Sequence, residues 1–269
     1  MNSYKLGFIG TGVMGESILS GIVSKRAMSP DNLFVYDIDH AKRIQMVDSY
    51  GVRACVTAAE LVDACDVIFL SIKPMVCQSV LEELSDKLAG KAIFSIVAGW
   101  STARIAALAP AARVLCVMPN VAAISGEAMS VLSADHTLTE NEFRFANLIF
   151  SAFGEVETIP EKHFDIVTGI SGSGPAYAFM FIEAMAQAGI YNGLPAKTAR
   201  KLAAQTLLGA AKTQLLGDRH PADLRDAVCT PGGTTIEAVM ELESRGFNGT
   251  VMAAVDRCAR KYRQMAEKK

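Results

Sequence analysis

Gly10-Thr11-Gly12-Val13-Met14-Gly15 has the G-x-G-x-x-G spacing of a loop built to take a pyrophosphate. Each glycine has its own task. Gly10 permits a tight turn, Gly12 lets phosphate come against bare backbone, and Gly15 lets a helix pack close on a sheet. A helix opening at this point presents unpaired N–H groups and the positive end of its dipole. The motif is short, and its setting strengthens it. The apolar run Leu6 to Ile9 precedes it, and a helical pattern from about Val13 to Lys25 follows. The rival reading is a tight strand-to-helix turn with no ligand. A second strand, Leu33 to Tyr36, leads to Asp37, 22 positions after Gly15. A carboxylate there bonds the adenosine ribose of NAD and repels the 2′-phosphate of NADP. His40, Lys42 and Arg43 follow at once. They either hold that phosphate or form a solvated helix face, so NADPH and NADH both stay open.

Other candidates sit where further strands end, which is where ligands bind in open α/β sheets. Ser71-Ile72-Lys73-Pro74 closes the run from Val67, and Lys73 either reaches a nicotinamide ribose or is an ordinary exposed lysine. Ala98-Gly99 is small enough for a cofactor to approach closely. Asn120, in Met118-Pro119-Asn120, can donate or accept a hydrogen bond at the nicotinamide end. Late in the chain, Thr230-Pro231-Gly232-Gly233-Thr234 reads as a helix start. Pro231 falls in the first turn of a helix through Ile236, Val239 and Met240. The N–H groups of Gly232, Gly233 and Thr234 would then form a carboxylate site, with the Thr230 hydroxyl adding a bond. The alternative is that Thr230 and Thr234 only cap the helix.

These residues need a scaffold. Strands at Leu6 to Ile9, Leu33 to Tyr36, Val67 to Leu70, Ala92 to Val97 and Val114 to Val117 alternate with helical stretches. That alternation predicts an α/β fold: an N-terminal Rossmann-like dinucleotide-binding domain over 1–160, its parallel sheet covered by helices on both faces. No strand is expected after Pro160, and 161–269 reads as an all-α C-terminal dimerisation domain. Pro175 opens a helix apolar nearly all round. Pro195 opens another with two small-residue stripes, Ala199-Ala203-Thr206-Ala210-Thr213 and Ala204-Leu208-Ala211-Leu215. A helix with two apolar faces must be buried on both, which calls for a second copy of the chain. Val251, Val255, Cys258, Tyr262 and Met265 continue the spacing in a final helix.

Composition narrows the class. Lys plus Arg is 26 against 28 for Asp plus Glu, a net charge of -2, so nucleic acid is not an expected partner. No stretch approaches the ~20 apolar residues of a membrane span. Residues 1–10 carry neither a basic region nor a cleavage site and are expected not to be a signal peptide. Six dispersed cysteines without a C-x-x-C pair read as reduced thiols of a cytoplasmic protein, and no spacing suggests a metal site.

Several segments resemble the pyrroline-5-carboxylate reductase family. Phe8 to Gly15 is similar to its F-I-G-x-G-x-M-G start, Lys73-Pro74 to its V-K-P, and Met118-Pro119-Asn120 to its M-P-N. Gly169 to Tyr177 resembles G-x-S-G-S-G-P-A-Y, and Asp226 to Thr235 resembles D-x-V-x-S-P-G-G-T-T, in the same order along the whole chain. The resemblance implies NAD(P)H-dependent reduction of a small-molecule substrate, Δ1-pyrroline-5-carboxylate, to L-proline. It implies carboxyl-terminal helices interlocked into a homodimer, often within a larger ring. It also implies active sites shared between subunits, with cofactor on one and the Pro-Gly-Gly-Thr loop on the other. Under it Thr234 is the candidate to bond the ring nitrogen, Thr230, Gly232 and Gly233 hold the carboxylate, and Lys73 serves the reacting end. Asp37, Ser71, Trp100 and Thr230 depart from the family's usual residues. Family members expect NADPH, and Asp37 leaves NADH open. Ser173-Gly174-Pro175 reads as tight packing or a second anion site, and Asp218 and His220 as the pocket's border. A reductase of another cyclic imine and a non-enzymatic dinucleotide sensor are the remaining alternatives. A β-hydroxyacid dehydrogenase would need a lysine in the helix after Gly174, and Pro175-Ala176-Tyr177-Ala178-Phe179-Met180 has none.

Overall fold

The computed structural model describes residues 4–267. Met1, Asn2 and Ser3, the start of the stretch read as no signal peptide, lie outside the described residues. The strands are β1 (Leu6–Ile9), β2 (Leu33–Tyr36), β3 (Arg53–Ala54), β4 (Val67–Leu70), β5 (Ala92–Ser95), β6 (Arg113–Met118), β7 (Ala128–Ser133) and β8 (Gly154–Ile159). Among the described residues they form one eight-stranded sheet in the order β3-β2-β1-β4-β5-β6-β7-β8. Helices α1 (Val13–Ser24), α2 (His40–Tyr50), α3 (Ala58–Ala64), α4 (Pro74–Leu84), α5 (Thr102–Leu108) and α6 (Glu140–Ser151) connect them.

Strand composition explains the sandwich. Phe8, Phe69 and Phe94 turn to one face with Leu33, Val67 and Leu115. Ile9, Ile68, Leu70, Ile93 and Val114 turn to the other. Both faces are covered, so the central strands are apolar throughout rather than alternating. The Phe8 and Phe69 rings stack at 4.6 Å.

Two features differ from the expectation. β7 runs antiparallel to β6, so the sheet is not wholly parallel. β7 and β8 were not expected: Ala-Met-Ser-Val-Leu-Ser and Gly-Glu-Val-Glu-Thr-Ile lack the apolar runs of the inner strands. β8 pairs in parallel with β7 on one side and is an edge.

The helix between them is set by a capping box of Thr139 and Glu142. Glu142 is 5% exposed, yet it receives a bidentate bond from Arg113, at 2.6 and 2.8 Å. Burial works to raise its pKa. The Arg113 guanidinium and the Thr139 N–H and hydroxyl outweigh that and hold the carboxyl below its ordinary value. A depressed carboxyl stabilises the fold above its unfolded pKa, and that contribution vanishes as pH falls through the folded value. Glu142→Gln keeps a capping-box side chain and removes the charge. It is expected to cost about 2–3 kcal/mol in urea unfolding at pH 7, with the gap to wild type closing below about pH 4.

Beyond β8 come α7 (Phe164–Val167), a π-turn at Thr168–Gly172, then α8 (Gly174–Tyr191), α9 (Ala196–Leu215), α10 (Pro221–Val228), α11 (Thr234–Ser244) and α12 (Phe247–Glu267). The chain falls into two compact units. One runs through Gly172 and takes back the chain from Cys258 onward; the other is Ser173–Arg257. In the second unit α8 and α9 close tightly because their contact is small: Ala186 meets Ala199 and Ala203. A Cβ on Gly189 would lie 3.2 Å from that of Ala199. Little else in this unit is covered. Phe179, Met180, Leu202, Leu215, Met240 and Met252 are each more than half exposed. Among the described residues no helix is long and apolar enough to cross a membrane.

Candidate active site

Strand register places the sequence-predicted residues together. Ile9 pairs with Tyr36 and with Leu70, and Leu70 with Ser95. Gly10, Asp37, Ser71 and the segment after Ser95 therefore leave the sheet at one end. β1 sits between β2 and β4, the point where the chain reverses its direction of sheet growth and where a ligand crevice opens.

The glycine loop is fixed by its neighbours. Gly10 has φ +96°, and its N–H donates to the Tyr36 carbonyl at 2.8 Å. A Cβ on Gly15 would stand 2.7 Å from the Gly10 carbonyl oxygen and 2.8 Å from Ser71 Oγ, closer than real contacts allow. The Ser71 hydroxyl donates to the Gly10 carbonyl at 2.6 Å, so serine here ties β4 to the loop. Gly12 is different: a Cβ there would meet nothing within 4 Å. No packing demand within the chain explains that glycine, and its space is open to a ligand. Gly12 is also the N-cap of α1 and supplies no side-chain cap bond, so the first-turn N–H groups stay available. Gly12→Ala is expected to leave thermal stability intact while weakening dinucleotide binding ~10-fold, equivalent to ~1.4 kcal/mol. Gly15→Ala should lower both, which binding titrations run beside thermal melts would separate.

Asp37 is bound to the same loop. Its Oδ2 accepts from the Thr11 N–H at 2.8 Å and the Thr11 hydroxyl at 3.0 Å, and its Oδ1 accepts from the Asp39 N–H at 3.0 Å. Partial burial acts to raise its pKa, but these bonds and nearby Lys42 hold it below its ordinary value. The carboxylate is thus ionised, and Thr11 is spent on it. Arg43 donates to the Asp37 and Val56 carbonyls at 3.2 and 3.1 Å, while His40 and Lys42 remain exposed.

Lys73 is exposed at the N-cap of α4, with Pro74 opening that helix. Gly99 has φ +77°, and its open side is filled from within: a Cβ would lie 3.2 Å from Ala266 N and 3.3 Å from the Met265 carbonyl carbon, both in α12. Trp100 is buried, its ring under the Arg104 guanidinium at 3.8 Å and its Nε1 donating to the Pro74 carbonyl at 3.2 Å. Asn120 has its amide in use. Oδ1 accepts from the Ala122 and Met129 N–H groups at 3.2 and 3.4 Å, and Nδ2 donates to the Ser171 carbonyl at 3.1 Å. It anchors the π-turn, whose Gly172 would place a Cβ 3.7 Å from Met118 Sδ.

Residues not singled out in sequence as ligand contacts complete the rim. Ile38, Met75 and Ile124 are strongly exposed large apolar side chains, each just beyond a strand's carboxyl end. Only the register reveals that these scattered positions share one end of the sheet.

The Thr230–Thr234 turn lies in the second unit, and its helix starts later than expected. α11 begins at Thr234 with Gly233 as N-cap, so Pro231 is not in the helix. The Gly233 N–H donates to the Thr230 carbonyl at 3.0 Å, and Gly232 has φ +68°. Proline then glycine at the middle of such a turn is the type II arrangement. It takes the Gly233 N–H out of the anion site and leaves the first N–H groups of α11 unpaired. No side chain caps α11, so Thr230 and Thr234 are not its caps. The Thr230 hydroxyl instead occupies the space a Cβ on Gly233 would need. His220 is committed elsewhere: its Nδ1 caps α10 through the Ala222 N–H at 3.2 Å.

A doubly wound sheet with an open glycine at the mouth of α1 and an ionised carboxylate at the end of β2 defines a dinucleotide-binding protein, and its residues fit that ligand. Comparison with known proteins narrows the class. Residues 161–265 match the family model for pyrroline-5-carboxylate reductase dimerisation, and residues 5–99 match that for NADP oxidoreductase, coenzyme F420-dependent. Pyrroline-5-carboxylate reductase of Arabidopsis thaliana is 40% identical over 98% of this chain and 96% of its own length. The Escherichia coli enzyme of that name is 38% identical over 98% of both. A crystal structure of Plasmodium falciparum pyrroline carboxylate reductase with NADP bound superimposes with a TM-score of 0.91 at 30% identity, covering 99% of this chain and 100% of that one. The chain belongs to the pyrroline-5-carboxylate reductase family.

Proposed function

We propose that this protein reduces Δ1-pyrroline-5-carboxylate to L-proline with NADH or NADPH. One observation carries the reading: the likeness to reductases of that name spans 98% of the chain, through both the glycine loop and the Thr230–Thr235 turn. When bound, the reduced nicotinamide supplies a hydride to the imine carbon. Gly10, Thr11, Gly12, Val13, Met14, Gly15 and Asp37 hold the dinucleotide at its phosphates and ribose. Ser71, Lys73, Pro74, Ala98, Gly99 and Asn120 shape the opposite end. Of these, Ser71 and Asn120 act through the backbone they anchor.

The substrate is a cyclic imine with a carboxylate, and its protonated form is electrophilic without a strong enzyme acid. The protein's work is therefore to hold and orient. The unpaired N–H groups at the start of α11, at Thr234 and just beyond, meet the carboxylate together with the Thr230 hydroxyl. Gly232 and Gly233 shape the turn that points them. The Thr234 hydroxyl oxygen accepts from the protonated ring nitrogen and fixes the ring face.

The exposed apolar faces of the second unit, and the match to a dimerisation family over 161–265, support homo-oligomerisation through the carboxyl-terminal helices. Each active site then takes the cofactor loop of one subunit and the Thr230–Thr234 turn of its partner, and dimers can assemble further. A reducing, cytoplasmic setting suits the cysteines. None of the six is disulfide-bonded, and burial pushes Cys65, Cys77 and Cys116 up to about 12, where thiols are inert. The test is oxidation of NADH and NADPH with pyrroline-5-carboxylate, with proline identified as product. Substrate-independent binding without turnover, or turnover only with other cyclic imines, would overturn the reading.

A further inference from the structure

β4 and β5 are neighbours, and Leu70 stands opposite Ser95, so the segments that follow them leave the sheet side by side. Ser71 to Pro74 leads from β4 into α4, and Ile96 to Ser101 leads from β5 into α5. Trp100 bridges the two. It is buried, and its Nε1 donates to the Pro74 carbonyl, 26 residues back, at 3.2 Å. The Arg104 guanidinium, in the first turn of α5, lies 3.8 Å over the ring centroid. The Trp100 backbone is held as well. Its N–H donates to the Val97 carbonyl at 3.2 Å, closing the turn that contains Ala98 and Gly99. Its carbonyl accepts from the Cys116 thiol of β6 at 3.4 Å.

Filling the core needs no polar atom, and an aliphatic side chain would serve. An indole buried here must find an acceptor for its N–H, and that acceptor is the first residue of α4. Pro74 has its φ set by its ring, so a bond to its carbonyl also steadies the Lys73–Pro74 peptide before it. We infer that Trp100 is a positioning residue for the nicotinamide half of the cofactor. Its indole fixes the spacing between the Ser71–Pro74 loop and the Ala98–Gly99 turn, the two walls of that half of the crevice. The inference rests on the dinucleotide-reductase reading above. The loops after β1 and β2, which take the adenosine half, lie on the other side of β4. Trp100 therefore acts on one half of the ligand and leaves the other alone.

The test compares NADH and NADPH with ADP-ribose, which keeps the adenosine, pyrophosphate and second ribose but has no nicotinamide. Titration calorimetry on the full chain reads all three without any substrate. Trp100→Phe keeps an aromatic face under Arg104 and removes the N–H. It is expected to raise the dissociation constants of NADH and NADPH ~5-fold, the loss of one hydrogen bond, with that of ADP-ribose unchanged. Arg104→Gln leaves Trp100 in place and removes the cation over its ring. It should act in the same direction by ~3-fold, and it serves should Trp100→Phe fail to fold. Folded variants that bind both dinucleotides as tightly as wild type, or that lose ADP-ribose by the same factor, would overturn the inference. Wild-type protein that binds dinucleotide but does not reduce the imine would bring down the functional reading and leave this test standing. Wild-type protein that binds neither dinucleotide would bring down both.

Discussion

Asp37→Ser is expected to raise the ratio of kcat/KM with NADPH to that with NADH by ~100-fold, a difference of ~2.7 kcal/mol of like-charge repulsion removed. The carboxylate is held ionised by Thr11, Asp39 and Lys42, so its charge persists across any assay pH. A 2′-phosphate brought to the end of β2 meets that charge, whereas a free ribose hydroxyl meets an acceptor. The substitution also releases Thr11 and should weaken both cofactors somewhat, and taking the ratio isolates the charge. Arg43 is engaged with two backbone carbonyls and is not poised to neutralise the phosphate, which leaves that task to Lys42 and His40. Parallel steady-state kinetics with the two cofactors check this. An unchanged ratio would move the determinant away from Asp37.

Thr234→Ala is expected to lower kcat ~10- to 100-fold, the ~1.5–3 kcal/mol of a hydrogen bond to a charged group, with NAD(P)H affinity nearly intact. Thr234 starts α11 with an exposed side chain and no capping duty, so its loss should not unfold the helix. Thr234→Ser should restore most of the rate. Equal loss of turnover and cofactor affinity would assign Thr234 a folding role instead.

The inner sheet was legible because β1, β2, β4, β5 and β6 are buried on both faces and must be apolar throughout. β7 and β8 were not legible, since serines and alternating glutamates suit a sheet margin and resemble loop composition. The glycine loop and Asp37 were readable as a spacing, whereas the bond between them was not, because Thr11 gives no sign of its partner 26 residues away. Asn120 illustrates the opposite limit. A polar residue at a strand's carboxyl end invites a ligand role, yet here its amide is consumed by three internal bonds. Gly99 likewise reads as room for a cofactor, and the room is taken by α12. At the carboxyl-terminal turn, Pro-Gly-Gly suits either a helix start or a type II turn. The positive φ of Gly232 decides for the turn and moves the anion site one step along the chain.

The measurement that bears most directly on the central claim is isotopic. With reduced nicotinamide cofactor deuterated at C4 on the transferred face, the account predicts proline carrying one deuterium at the former imine carbon. Cofactor oxidation that leaves the proline unlabelled, or no proline at all from folded protein, would contradict it.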